Sequence, residues 1–152
     1  MSVSEKLRPK AETIIGLPVL AVAIVVPPGA TLYRSYAPKD KAMALGGPIA
    51  AAFASKLGKP EADVGMAATV PRQQGFLALT GDELVYLKKK AIGATPASVL
   101  YRWPRGDVEL TFDDVGAWSY PGLALAFSDG TSCMVFGEKK WCLDVLAEAA
   151  NA

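Results

Sequence analysis

Residues 75–88 read Gly-Phe-Leu-Ala-Leu-Thr-Gly-Asp-Glu-Leu-Val-Tyr-Leu-Lys. Two apolar runs, Phe76–Thr80 and Glu83–Lys88, flank Gly81-Asp82, a short turn signal, so the stretch predicts a β-hairpin. Alternation puts Leu84 and Tyr86 on one face and Val85 and Leu87 on the other. Both faces are apolar and both need cover. One should meet the core, the other a helix, an inserted flap or another subunit.

Working outward, Ser98–Trp103 is a further strand, and Pro104-Arg105-Gly106 turns the chain. Val108, Leu110 and Phe112 then alternate with Glu109, Thr111 and Asp113, the period of a half-buried strand. Val115–Tyr120 continues it after a bend at Asp113-Asp114. Leu123–Ser128 and Thr131–Phe136 form a second hairpin about Asp129-Gly130. The chain closes with a helix from Glu138 to Ala149, whose stripe is Cys142, Val145, Leu146 and Ala149 with Trp141 beside it. Upstream, β-branched Val19–Val26 is a strand that ends at Pro27-Pro28-Gly29. A helix over residues 4–15 precedes it, capped by Ser2 or Ser4 and stopped by Gly16-Leu17-Pro18. Residues 30–72 lack a clean period and read as an insertion, with a small-residue helix over Pro48–Leu57 and a short extended piece over Val64–Val70. The expectation is one domain over 1–152 of α+β class. It is mainly antiparallel β: a bent sheet or partly open barrel of about seven strands closed by the C-terminal helix.

The pattern resembles the pleckstrin-homology-like superfold, and within it bacterial PH-like and GRAM-like domains. Residues 75–88, the hairpin of Leu123–Phe136 with its Asp-Gly turn, and the closing helix Lys139–Ala149 carry the resemblance. The N-terminal strand ending in Pro-Pro-Gly adds to it, so about residues 19–28 and 73–149 are covered. The resemblance implies a module that binds phosphoinositides, peptides or proteins. Lipid-binding members place basic residues in the loop between their first two strands. Here that region is the long insertion, whose Arg34, Lys39 and Lys41 are spread apart.

Composition narrows the chemistry. The chain has 152 residues and no histidine, which removes Ser-His-Asp and Cys-His catalysis and every histidine metal site. Adjacent Asp113 and Asp114 point to opposite faces of a strand, and no phosphate-loop motif follows Gly46-Gly47-Pro48. No catalytic, metal or cofactor-binding residue is therefore assigned, and the chain reads as a non-enzyme. Cys133 and Cys142 are expected to be two buried free thiols, one disulfide between them or a reactive cysteine being the alternatives. The net charge of +1 with 20% charged residues argues against a nucleic-acid partner and against wholesale disorder. The apolar runs 14–26 and 42–54 are interrupted by Gly and Pro and are shorter than the roughly 20 residues a spanning helix needs. The leading reading is a cytoplasmic module that acts through contacts with a protein partner or with a second copy of itself, as a homodimer. The alternative is a peripheral module for anionic lipid headgroups, with weak membrane contact through Lys88, Lys89, Lys90, Arg102 and Arg105.

Overall fold

The computed structural model describes residues 2–27, 65–114 and 120–152. The readings of Pro48–Leu57 as a helix and of Val115–Tyr120 as a continued strand fall on residues outside these, Tyr120 excepted. In order come α1 (Val3–Ile15), β1 (Val19–Val25), a 3-10 turn (Gly65–Thr69), β2 (Gly75–Thr80), β3 (Glu83–Lys89), β4 (Pro96–Pro104), β5 (Val108–Asp113), β6 (Gly122–Phe127), β7 (Ser132–Phe136) and α2 (Leu143–Ala150). The strands form two antiparallel sheets, β1-β2-β3-β4 and β5-β6-β7. Val26 and Phe136 exchange two backbone hydrogen bonds of 2.8 and 3.0 Å and join the sheets at one corner. The fold is α+β with seven described strands, and the sheets do not close into a barrel.

The hairpin that decides the fold is covered on both faces within a single chain. Leu84, Val85, Tyr86 and Leu87 are all fully buried, so no second subunit is needed to shelter them. Trp103 pairs with Leu84 across the β3–β4 ladder and contacts Phe127 of β6. That side of the first sheet therefore faces the second. Gly75 is the one residue that fits where β2 passes β3, because a Cβ there would lie 2.3 Å from the Leu87 carbonyl oxygen.

α1 starts with a capping box in which the Glu5 N–H donates to Ser2 Oγ and the Ser2 N–H to Glu5 Oε2. Ser2 is thus the cap. Ser4 lies inside the helix and is buried. The helix packs chiefly against β1 and β4, the two outer strands of one sheet, so the sheet curls to bring both edges to it. One flank of α1 carries Ser4, Arg8 and Glu12, four residues apart and stacked on one face. Ser4 Oγ accepts from the Val22 N–H at 3.0 Å, Arg8 Nε donates to the Val19 carbonyl at 3.0 Å, and Glu12 Oε2 accepts from the Val19 N–H at 2.9 Å. Three side chains thereby cap the outer edge of β1, a row of peptide groups that would otherwise template aggregation. Ser4→Ala leaves the Val22 N–H buried without a partner and should cost about 1–3 kcal/mol, read as a lower midpoint in urea unfolding.

Two expectations need correction. The C-terminal helix begins at Leu143. Lys139–Trp141 is a 3-10 turn, and Cys142 sits between the two with φ +68°, a left-handed conformation that interrupts the helix. The buried stripe is consequently Leu143, Leu146 and Ala147, and Val145 is 39% exposed. The sequence predicts an extended piece over Val64–Val70, but residues 65–69 form a 3-10 turn. Gly65 has φ +58°, and the turn is held by bonds from the Met66 N–H to Asp129 Oδ2 and the Ala67 N–H to Thr131 Oγ1. Long-range partners on the β6–β7 turn override the local β propensity of Thr69 and Val70.

Candidate functional site

The five basic residues singled out from sequence do not meet. β3 and β4 are antiparallel with Glu83 opposite Pro104 and Lys89 opposite Pro96, so Arg102 and Arg105 stand at one end of the hairpin and the lysines at the other. Lys88 is five residues along β3 from Glu83, about 17 Å at strand rise. Arg102 is spent on Glu83, with Nη1 3.0 Å from Oε1, an exposed pair worth at most about 1 kcal/mol. Arg105 is a structural tie. Its Nη1 donates to the Gly81 carbonyl at 3.3 Å and its Nη2 to the Ala150 carbonyl at 3.0 Å, fastening the β2–β3 turn to the end of α2. Lys88 and Lys90 are exposed and Lys89 is half-buried. The Lys90 N–H closes the β3–β4 loop on the Thr95 carbonyl at 2.9 Å.

That loop borders a groove of about 340 Å³ shared with α1 and lined by Lys10, Thr13, Ile14, Lys90, Thr95 and Pro96. Nothing in the sequence marks Lys10 as a companion of Lys90. It reaches the loop because the flank of α1 opposite Ser4, Arg8 and Glu12 lies towards β4.

A larger groove of about 550 Å³ runs between β5 and α2. Its walls include Leu84, Arg105, Val108, Leu110, Phe127 and Asn151. The orientation of β5 follows from its ladder. Val108 is opposite Phe127, and the Ser128 N–H donates to the Asp107 carbonyl at 2.9 Å. In an antiparallel pair this bond brackets a residue pair that does not exchange bonds. The peptide groups of Val108, Leu110 and Phe112 therefore point away from β6, along the outer edge. The Val108 N–H is taken by the Arg105 carbonyl. The Leu110 carbonyl accepts from Asn151 Nδ2 at 3.2 Å. Among the described residues, the Leu110 and Phe112 N–H groups have no partner across that edge.

β4, an outer strand of the first sheet, is guarded differently. Bonds from the Arg105 N–H to the Asp82 carbonyl and from the Lys90 N–H to the Thr95 carbonyl place Pro104 and Pro96 at positions facing away from β3. Each end of that edge thus lacks a donor, and its two register shifts distort the rest, both ordinary protections of an edge strand. β5 has neither.

Several other polar groups do structural work. Asp129 is held below the usual carboxylate range, first by the Thr131 hydroxyl and then by the Met66 N–H. Asp107 Oδ1 accepts from Ser128 Oγ at 3.2 Å. Burial pushes the Cys133 thiol up to about 12, with Arg72 opposing, so it is protonated at neutral pH and a poor nucleophile. Burial likewise raises the Tyr86 phenol, whose hydroxyl donates to the Gln73 carbonyl. Both cysteines are free and buried. Among the described residues no group of three or more Cys, Asp or Glu is placed to hold a metal ion, and no helix is long and apolar enough to cross a membrane.

No family model, curated protein or solved structure matches the chain.

The β5 edge escaped the sequence reading because strand order, not strand content, makes an edge. The loop tip was legible in part: Lys-Lys-Lys-Ala-Ile-Gly over 88–93 carries both a charge run and a lone large apolar residue in a turn.

Proposed function

We propose that this chain is a non-enzymatic, pleckstrin-homology-like binding module that acts by protein contact, and that it receives an extended segment of its partner on the outer edge of β5. The observation that carries the reading is that the Leu110 and Phe112 N–H groups, on the outer edge beside the groove under α2, have no partner among the described residues. An added strand would exchange backbone bonds with them and lay alternate side chains into that groove, the mode called β-augmentation. Sheets of four and three antiparallel strands with a terminal helix packed against both support the pleckstrin-homology-like assignment. Asn151 is exposed, so its side chain can leave the Leu110 carbonyl to an incoming strand.

Selection of a displayed random-peptide library on the purified protein tests this. Extended, β-branched sequences should be enriched on the wild type and retained by Phe112→Ala. Phe112→Pro makes the same truncation but also removes the outward N–H, and should lose them. Asn151→Ala removes a competitor worth about 0.5–1.5 kcal/mol and should tighten the selected peptides by about two- to tenfold. Failure to enrich any peptide, or peptides that bind Phe112→Pro as well as Phe112→Ala, would contradict the reading.

A further inference from the structure

We infer that the segment received on β5 is cationic, with apolar side chains opposite Phe112 and Leu110 and a lysine or arginine opposite Glu109. This rests on the reading of β5 as the binding edge and names the chemistry of its occupant.

The register dictates the pattern. Leu110 and Phe112 turn their peptide groups outward, so an antiparallel strand exchanges bonds with these two residues. Glu109 and Thr111 then stand at the positions that exchange none, where facing residues come closest, about 4.5 Å between Cα atoms. Side chains alternate between the faces of a strand. Val108, Leu110 and Phe112 share the buried or half-buried face of β5, and Glu109 and Thr111 share the exposed one. Running antiparallel, the occupant meets Phe112 first, then Thr111, Leu110 and Glu109. Its order is apolar, any residue, apolar, basic.

Nothing inside the chain answers the charge of Glu109. Its neighbour across the ladder on β6 is Ala126, and no lysine or arginine occurs in β5, β6 or β7. Among the described residues, Glu109 makes no ion pair. Asp107 adds a second carboxylate to the groove wall. Arg105 also lines it, but its guanidinium is turned to the Gly81 and Ala150 carbonyls. The surrounding sequence has the same sign as Glu109: Gly106–Ala152 carries eight acidic side chains and two basic ones, Lys139 and Lys140. An opposite charge directly across a ladder stabilises the pairing and a like charge opposes it. Glu109 therefore selects a basic residue and rejects an acidic one. The same carboxylates repel a nucleic acid or an anionic surface.

The test is a fluorescence-anisotropy titration of the full chain with three labelled peptides of the frame Thr-Val-Thr-Val-X-Val-Thr, in which X is lysine, alanine or glutamate. The expected order of affinity is lysine, alanine, glutamate. Lysine should bind about fivefold tighter than alanine at low salt, and the gap should narrow at physiological salt. Glu109→Gln should bring the three close together, and Glu109→Lys should reverse their order. Glu109 is exposed, so thermal unfolding of both variants should match the wild type. Equal affinity of the three peptides, or an order that survives Glu109→Gln, would overturn the inference. If the alanine peptide then still binds Phe112→Ala and not Phe112→Pro, β5 stands as the binding edge and only the charge rule falls. No binding by any of the three overturns both.

Discussion

Leu146→Asp should unfold the protein or lower its stability by more than about 4 kcal/mol, whereas Val145→Asp, one residue away, should change it by about 0.5 kcal/mol or less. Leu146 is fully buried in α2, which packs against β1 and β2 of one sheet and β5 and β6 of the other. Removing its side chain alone costs about 2–5 kcal/mol in lost transfer energy and cavity. The aspartate adds a buried carboxylate, which must either stay charged at a cost of several kcal/mol or take up a proton. Domains of this size carry only about 5–15 kcal/mol in total. The paired result has a second use. The stripe read from sequence includes both Val145 and Leu146, whereas in α2, which begins after the break at Cys142, Val145 is 39% exposed. Equal damage from both substitutions in urea unfolding would mean that α2 starts earlier and packs in the register the periodicity suggests.

Trp103→Ala should cost about 3–5 kcal/mol, while Trp103→Phe should cost much less. Trp103 is 1% exposed. It lies between Tyr101, at 5.1 Å between ring centroids, and Phe127 of the second sheet, at 5.8 Å, and its Nε1–H donates to Thr69 Oγ1 at 2.8 Å. One side chain therefore ties β4 to β6 and to the 3-10 turn. Alanine removes all three contacts and leaves a cavity between the sheets. Phenylalanine keeps most of the packing and gives up the indole bond, worth about 1 kcal/mol net. It leaves Thr69 its own bond to the Met66 carbonyl. A chemical denaturation series comparing the three proteins should show alanine far below phenylalanine. Similar midpoints for alanine and phenylalanine would mean that Trp103 does not join the two sheets.

The strands were legible because their turns were. Gly81-Asp82 and Asp129-Gly130 fix both hairpins, and the alternation in 108–113 fixes β5. The misreadings have physical causes that leave no trace in local sequence. Cys142 adopts a conformation normally left to glycine, so nothing at that position announces a helix boundary. Residues 65–69 are bent by bonds to Asp129 and Thr131, more than sixty positions away. The candidate site was less visible for the same reason. Lysines 88–90 stand out as a run, but their separation from Arg102 and Arg105 depends on the register of β3 against β4. The arrival of Lys10 depends on how α1 crosses the curled sheet. The β5 edge emerges only once the strand order is known, and the hold of Asn151 on it only once α2 is docked.

The most direct measurement is backbone amide exchange by NMR, with and without a peptide selected on the protein. An extended partner on the outer edge of β5 should slow Leu110 and Phe112 strongly. Glu109 and Thr111 face β6 and should change little. Exchange at Leu110 and Phe112 that stays the same with peptide bound, or protection without this alternation, would contradict the assignment of β5 as the binding edge.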